Sequence, residues 1–382
     1  MRTLHDIPHL ENIPVLVRAA LNVPIKDDKV TNTFRLRKAL PTIEFLRKAH
    51  ARVVLIGHIG ELGTETLEPV YNALTQYVPR LQFCPATTGP IARAAVRELP
   101  AGGVLMLENL RRNAGEVGNS KDFARELAEL ADVFVQDSFD VCHREHASVV
   151  SVPEFLAPYA GLQVEEEVRE LTKALTPQSP SLAVIGGAKF STKQPVLEKL
   201  IALYDKVFVG GALANDFMVE RGYPVGTSLV SKDANKTELD MLLVNPRLML
   251  PLDEVVAHLD SSEHGEVAAL DKVPADEAIL DDGPKTIAAL DAAAQAAKTI
   301  LWNGPLGNYE NGFIEATEAF ARSVAKSSAY SVVGGGDTVA AIEKLDAAHK
   351  FSFISTGGGA MLDFIAKGTL PGLAALEKFA TS

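Results

Sequence analysis

Residues 181–193 read SLAVIGGAKFSTK. The apolar run up to Ile185 has no polar alternation. It stops at Gly186-Gly187 and passes into a stretch with helical spacing, Lys193 to Tyr204. An apolar run uncommitted to either face is what a parallel strand looks like when helices cover both sides. The same order recurs along the chain. In the first half it is found at Pro14 to Ala19, Arg52 to Gly57, Gly103 to Leu107 and Asp132 to Asp137. In the second half it is found at Lys206 to Gly211, Arg247 to Leu252, Thr299 to Asn303, Tyr330 to Gly336 and Phe351 to Thr356. Helical stretches intervene, among them Arg35 to Ala49, Lys121 to Ala131 and Thr286 to Ala297. Strands alternating with helices predict an α/β protein built on open parallel sheets.

The chain has 382 residues, enough for two domains at roughly 100–200 residues each. Pro153 and Pro158 punctuate the end of the first half, and Val164 to Leu175 reads as one charged amphipathic helix closed by Pro177 and Pro180. Two α/β lobes joined by a connecting helix are expected. Lys plus Arg is 37 and Asp plus Glu is 49, a net charge of −12. That balance lacks the basic field of a nucleic-acid binder, yet allows a local basic cleft for a small anion. Only Cys84 and Cys142 are present, so there is no disulfide framework. No apolar run reaches the ~18 residues that span a bilayer, and Met1 to Pro14 lacks a signal-peptide core. A cytoplasmic protein without nucleic-acid or membrane partners is expected.

In open α/β sheets ligands bind beyond the carboxyl ends of the strands. The second half places glycine there repeatedly: Gly186-Gly187, Gly210-Gly211, Gly304 after Asn303, Gly334-Gly335-Gly336 and Gly357-Gly358-Gly359. Such turns let backbone N–H groups and helix N-termini approach a phosphate. Lys189 and Lys193 are four residues apart and share one helix face. Two cations in a first turn oppose the helix dipole unless a polyphosphate compensates them; otherwise they are simply solvated. Asp337 in GGGDT suits an oxygen ligand for Mg²⁺ on nucleotide phosphates, or a helix N-cap, or both. In the first half Arg18, Arg35, His58, Arg111 and Arg144 fall near strand ends or helix starts, where several together make an anion site. His143 and His146 have a metal-ligand spacing but no obvious third ligand. Trp302, the single Trp, reads as a core residue.

Twelve segments carry a resemblance to the phosphoglycerate kinase family, in that family's order and over essentially the whole chain. They are RAALNVP, TFRLRKALPTI, LIGHIG, LENLRR, DSFDVCHREHAS, VIGGAKFSTK, LPLD, LDDGP, LWNGPLGNYE, VVGGGDT, STGGGAML and LPGLAAL. The resemblance implies two Rossmann-like lobes, each a parallel sheet covered by helices. It places the acid-substrate lobe at residues 1–160, an interdomain helix at 161–176, the nucleotide lobe at 177–365 and a C-terminal segment, 366–382, returning to the first lobe. It implies a monomer that transfers a phosphoryl group between 1,3-bisphosphoglycerate and ADP by hinge closure, with Mg²⁺ accompanying ATP or ADP. Arg35 resembles the catalytic arginine, Lys193 the lysine on the nucleotide phosphate and Lys189 the one that follows the transferring group. Gly336 and Gly359 are carried over as catalytic positions. Asn22, Arg35, His58, Arg111 and Arg144 match substrate-site positions. Gly187, Lys189, Lys193, Gly211, Asn303, Glu310, Gly335, Gly336, Asp337 and Thr338 match nucleotide-site positions, with Asp337 toward the metal.

The departures concentrate in the first half. Where the family carries a substrate-contacting Asp the chain has Ala20, and where it carries a phosphate-binding Arg the chain has Glu61. A glutamate ~4 Å from a phosphate would cost on the order of several kcal/mol. Asp140 adds another acid, placed to point away or to pair, like Glu61, with Arg111 or Arg112. In the second half Thr192 replaces an Asp and Ala212 a third Gly. Two further readings follow: a kinase of the same fold for a different carboxylic acid, and a non-catalytic ATP-binding regulator. A nicotinamide dehydrogenase is disfavoured, because Gly334 to Ala340 leaves too little chain for a dinucleotide fold.

Overall fold

The computed structural model describes residues 1–380 except 189, 233 and 262–264. It divides into two compact units, Met1–Arg169 with Lys367–Ser382, and Glu170–Ala366. The chain passes from the first to the second within the helix Leu162–Ala174.

The first unit holds β1 (Pro14–Ala19), the small hairpin β2 (Ile25–Lys26) and β3 (Lys29–Val30), β4 (Arg52–Ile56), β5 (Gln82–Cys84), β6 (Val104–Leu107), β7 (Val133–Asp137) and β8 (Ala157–Ala160). Outside the hairpin these form one six-stranded sheet in the order β5-β6-β4-β1-β7-β8, every neighbouring pair parallel. All six residues of β1 are buried, which is why its sequence shows no alternation. Leu36, Ile43 and Leu46 of the helix Phe34–Lys48 pack on one face with Val15, Val17, Val53 and Leu55. The sequence did not foretell β8, which contains Pro158. Pro lacks an N–H, and β8 is an edge strand, where a ladder tolerates that loss. The helix Pro371–Lys378 belongs to this unit, and Gly372 N donates to Cys142 O at 2.8 Å.

The second unit holds β9 (Ser181–Ile185), β10 (Lys206–Val209), β11 (Leu248–Met249), β12 (Asp253–Ala257), β13 (Glu266–Ala269), β14 (Ala278–Asp282), β15 (Thr299–Asn303), β16 (Tyr330–Gly334) and β17 (Phe353–Ile354). Six of them make a parallel sheet in the order β11-β10-β9-β15-β16-β17. The strand expected from Arg247 to Leu252 shrinks to two residues, because Pro246 and Pro251 flank it and remove donors. A three-stranded antiparallel sheet, β13-β12-β14, is an addition that the repeating strand–helix pattern did not announce. Trp302 is fully buried, donates Nε1–H to Gly304 O at 2.9 Å and meets Phe320 edge-on at 4.9 Å. Among the described residues no helix is long and apolar enough to cross a membrane.

The start of the helix Leu162–Ala174 is fastened to the first sheet. Its N-terminal N–H groups need partners. Leu162 N donates to Thr42 Oγ1 at 2.9 Å and Gln163 N to Asp137 Oδ1 at 3.0 Å, while Thr42 Oγ1 donates to the same Oδ1 at 2.8 Å. Burial pushes the Asp137 carboxyl up to about 8, against the pull of these donors. Gly161 lies directly on this carboxylate, and a methyl group there would overlap it. Gly161→Ala is therefore expected to destabilise the protein by about 1–3 kcal/mol, read as a lower urea midpoint. An unchanged midpoint would mean that the junction yields freely.

Candidate active site

The carboxyl ends of β1, β4, β6 and β7 gather a set of cations in the first unit. Arg18 is completely buried, and a buried guanidinium is tolerable only if its donors are used. Nε donates to Ser148 Oγ at 3.0 Å, Nη1 to Ala19 O at 2.9 Å and Nη2 to His58 Nδ1 at 2.9 Å. Ser148 in turn donates Oγ–H to Glu116 Oε1 at 2.6 Å and its backbone N–H to Oε2 at 3.0 Å. One serine thus bridges a buried cation and a buried anion. Guanidinium nitrogens only donate, so Nδ1 of His58 accepts and its proton sits on Nε2. Burial, then the charge of Arg18, hold His58 far below its ordinary titration range. His146 is pushed down to about 4 by burial and then by Arg111. Both rings are neutral at neutral pH. The 3.9 Å approach of His146 Nδ1 to Glu116 is accordingly not an ion pair. Among the described residues no group of three metal-ligating side chains exists to complete the His143–His146 spacing.

Asn109 builds the next layer. Its Oδ1 accepts from Ile59 N at 3.2 Å and Arg111 N at 3.1 Å, and its Nδ2 donates to Ile59 O at 3.0 Å and Glu65 O at 2.9 Å. This ties the loop after β4 to the turn after β6. Arg111 then donates to Gly60 O, and Gly60 N donates to Asn22 Oδ1 at 3.3 Å. Arg35, in the first turn of the helix Phe34–Lys48, donates Nη1–H to Asn22 O at 2.6 Å. The structure thereby brings Asn22, Arg35, His58 and Arg111 together. Arg144 is exposed, and its charge, after burial, depresses the Arg111 titration. Of the departures, Ala20 is buried and supplies no polar group. Glu61 is exposed, with only its field reaching Arg111. Asp140 turns toward neither Arg111 nor Arg112: its Oδ2 lies 3.9 Å from Arg35 Nη1 and its Oδ1 accepts from Ser138 Oγ at 2.5 Å. Arg112 is held instead by Glu108 at 2.8 Å.

In the second unit the glycine turns line one edge of the parallel sheet. Gly187 and Gly335 have φ of +94° and +102°, values that side chains resist. A Cβ on Gly187 would stand 3.1 Å from Lys193 Nζ. Lys193 reaches back from the helix Phe190–Leu203 and donates to Gly186 O at 2.5 Å. Burial alone lowers its titration to about 8. Lys189 lies outside the described residues. Asn303 Nδ2 donates to Gly358 O at 3.2 Å, joining the end of β15 to the helix Gly358–Lys367, whose first turn holds Gly359. Gly336, Asp337 and Thr338 open the helix Gly336–Lys344. Thr338 is fully buried with its Oγ1 unpartnered, and Asp337 is raised by burial and then by Glu310. A half-buried carboxyl beside an unsatisfied hydroxyl, at a helix start, suits a hydrated Mg²⁺ carried in on phosphates.

A cavity of about 350 Å³ opens beside these turns, lined in part by Gly187, Gly211, Pro305, Glu310 and Asp337. Its lining also includes Leu229, Glu254, Leu259 and Asp282, which sequence reasoning did not select. The only advance signals were the doubled acid of LDDGP and the acid directly after LPLD.

The match to known proteins covers both units. The family model described as phosphoglycerate kinase matches residues 4–367. A phosphoglycerate kinase of Moorella thermoacetica is 41% identical, over 98% of this chain and 99% of its own length. One of Roseiflexus is 40% identical over 95% of each. Two solved structures of phosphoglycerate kinases, from Coxiella burnetii and Pyrococcus horikoshii, cover 99% of both chains. Their TM-scores are 0.82 and 0.89 and their identities 37% and 30%.

The Lys193 titration sets a pH dependence. Below about 8 the lysine is a cation; as pH rises through that value it loses the charge a phosphate needs. ADP affinity, read by calorimetry, is expected to fall on the order of tenfold between pH 7 and pH 9.5. Lys193→Met should remove this step, and an identical fall in that variant would clear Lys193 of the effect.

Proposed function

The chain belongs to the phosphoglycerate kinase family, which reversibly transfers a phosphoryl group between 1,3-bisphosphoglycerate and ADP, and from that premise we propose how its residues divide the work. The observation that carries the assignment is the cation set on the first lobe. Arg18, Arg35 and Arg111 are fixed by named hydrogen bonds and accompanied by two neutral imidazoles. That set is built for an anion whose charge grows as the phosphoryl group moves. Phosphoryl transfer asks a protein for positioning and charge neutralisation rather than covalent chemistry.

In this reading Asn22, His58, Arg111 and Arg144 hold the phosphorylated acid. His58 offers Nε2–H as a neutral donor, and Arg35 faces the transferring group. Gly187, Gly211, Gly335 and Gly336 offer backbone N–H groups to the nucleotide phosphates. Lys193 adds a cation there, Asn303 and Thr338 flank the phosphates, and Glu310 takes the ribose. Lys189 and Gly359 are assigned to the transferring group by likeness to the family. Asp337 would hold Mg²⁺, which when bound neutralises phosphate charge. The acid carboxylate and the terminal phosphate must meet in line, so closure of the two lobes belongs to the same proposal. So does a cytoplasmic monomer acting on diffusible small molecules.

Ala20 and Glu61 keep a second substrate in view, a carboxylic acid with less charge. Two variants separate the cases. Arg35→Ala should abolish turnover while ADP affinity stays within about twofold; surviving turnover would remove Arg35 from catalysis. Glu61→Arg should tighten 3-phosphoglycerate binding roughly tenfold. An unchanged Kd would mean that position 61 does not face the acid.

A further inference from the structure

The cavity of the second lobe has an acidic floor for which phosphate chemistry has no use. Glu254 and Asp282 stand opposite one another on the antiparallel strands β12 and β14. Directly opposed residues project from the same face of a sheet. They are 1% and 2% exposed, and both line the cavity. Glu254 Oε2 and Asp282 Oδ2 have no hydrogen-bond partner.

The neighbouring acids are already employed. Asp253 accepts from Thr286 N at 2.9 Å and Lys285 N at 3.1 Å. Asp281 accepts from Asp282 N at 3.0 Å and Ala316 N at 3.1 Å. Among the described residues lining the cavity there is no Lys or Arg to neutralise the pair. Burial first, then the charges of Asp282, Asp253 and Asp281 on Glu254 and of Asp281 and Asp253 on Asp282, push both carboxyls well above the ordinary carboxylate range. Two facing acids in that setting favour holding a single proton over both ionising. They then present one acceptor and one donor side by side.

The walls beside this floor are apolar. Leu229 and Leu259 line the cavity and are 62% and 63% exposed, with Ala278 and Leu280 deeper in. Exposed apolar side chains flanking a concave site with a few convergent polar groups are the usual setting for a flat ring.

We propose that Glu254 and Asp282 read the base of the bound nucleotide, engaging the amino group and an adjacent ring nitrogen of adenine. The proposal rests on the reading of this cavity as the nucleotide site. Adenine offers an amino donor next to a ring-nitrogen acceptor, the edge that an amide side chain reads through one acceptor and one donor. The singly protonated acid pair offers the same two functions: the carboxylate oxygen accepts from the amino group and the carboxylic acid donates to the ring nitrogen. Purine riboside lacks the amino group, so it leaves the carboxylate acceptor of the pair unused. Binding adenine also satisfies two oxygens that are otherwise buried without partners.

The test is calorimetric titration with ADP and with purine riboside 5′-diphosphate, which is ADP without its amino group. The wild-type protein is expected to bind ADP about tenfold more tightly than purine riboside diphosphate. In the double variant Glu254→Val, Asp282→Val the preference for ADP over purine riboside diphosphate should disappear. Should the double variant fold poorly, one of the single variants Glu254→Val and Asp282→Val is expected to lose the preference, the one that removes the acceptor for the amino group. Equal wild-type affinities for ADP and purine riboside diphosphate would overturn the proposal, as would a preference kept in the double variant or in both single variants. If no nucleotide bound at all, the reading of the cavity itself would fall. If both bound alike, the cavity reading would stand and only the base-reading role would fall.

Discussion

Every strand of the two six-stranded sheets runs parallel to its neighbours, and the placement of the chemistry follows from that constraint. A parallel sheet delivers the carboxyl ends of its strands to one edge, where each chain must turn into a helix. Those turns expose N–H groups that no ladder satisfies. In the second lobe glycines keep the edge bare, and Lys193 folds back along it onto Gly186 O. In the first lobe the same edge is furnished with side chains. There Arg18 is locked by Ser148 and His58 beneath Arg111 and Arg35. One architecture thus yields two strand-end edges of different character, a backbone cradle and a guanidinium cluster.

Electrostatics sets what the altered residues of the first lobe cost. An acid near a phosphate is costly only if it is unpaired and aimed at the ligand. Asp140 spends itself on Ser138 and on the flank of Arg35. Glu61 is left in solvent, where its field is screened. Glu116 serves as the buried counter-charge of Arg18, acting through Ser148. The neutral histidines matter equally, since two further cations would add repulsion within a cluster whose Arg111 is already depressed by Arg144.

Much of this was legible in the sequence because periodicity and glycine placement are local signals. The strand at Pro14–Ala19, the helix over Lys193 and the turn at Gly334–Gly336 each announce themselves within about ten residues. The family likeness added roles that no spacing could supply. What the sequence hid is pairing across distance. Nothing in LPLDE or LDDGP says that Glu254 and Asp282 face each other across an antiparallel ladder, because register is set by strands far apart in the chain. Nor does HREHAS reveal that Ser148 links Arg18 to Glu116, since that bridge joins residues 130 and 32 positions apart. The edge strand β8 was missed because Pro158 argues against a strand wherever its exposed position is unknown.

The most direct measurement is the steady-state rate of ATP consumption with 3-phosphoglycerate and Mg²⁺, varied against each substrate in turn. The account predicts saturable turnover that requires both, at rates on the order of those of ordinary kinases, about 1–100 per second or faster. ATP binding without 3-phosphoglycerate-dependent turnover would contradict it, and would mean that Ala20 and Glu61 have taken this first lobe out of the family's reaction.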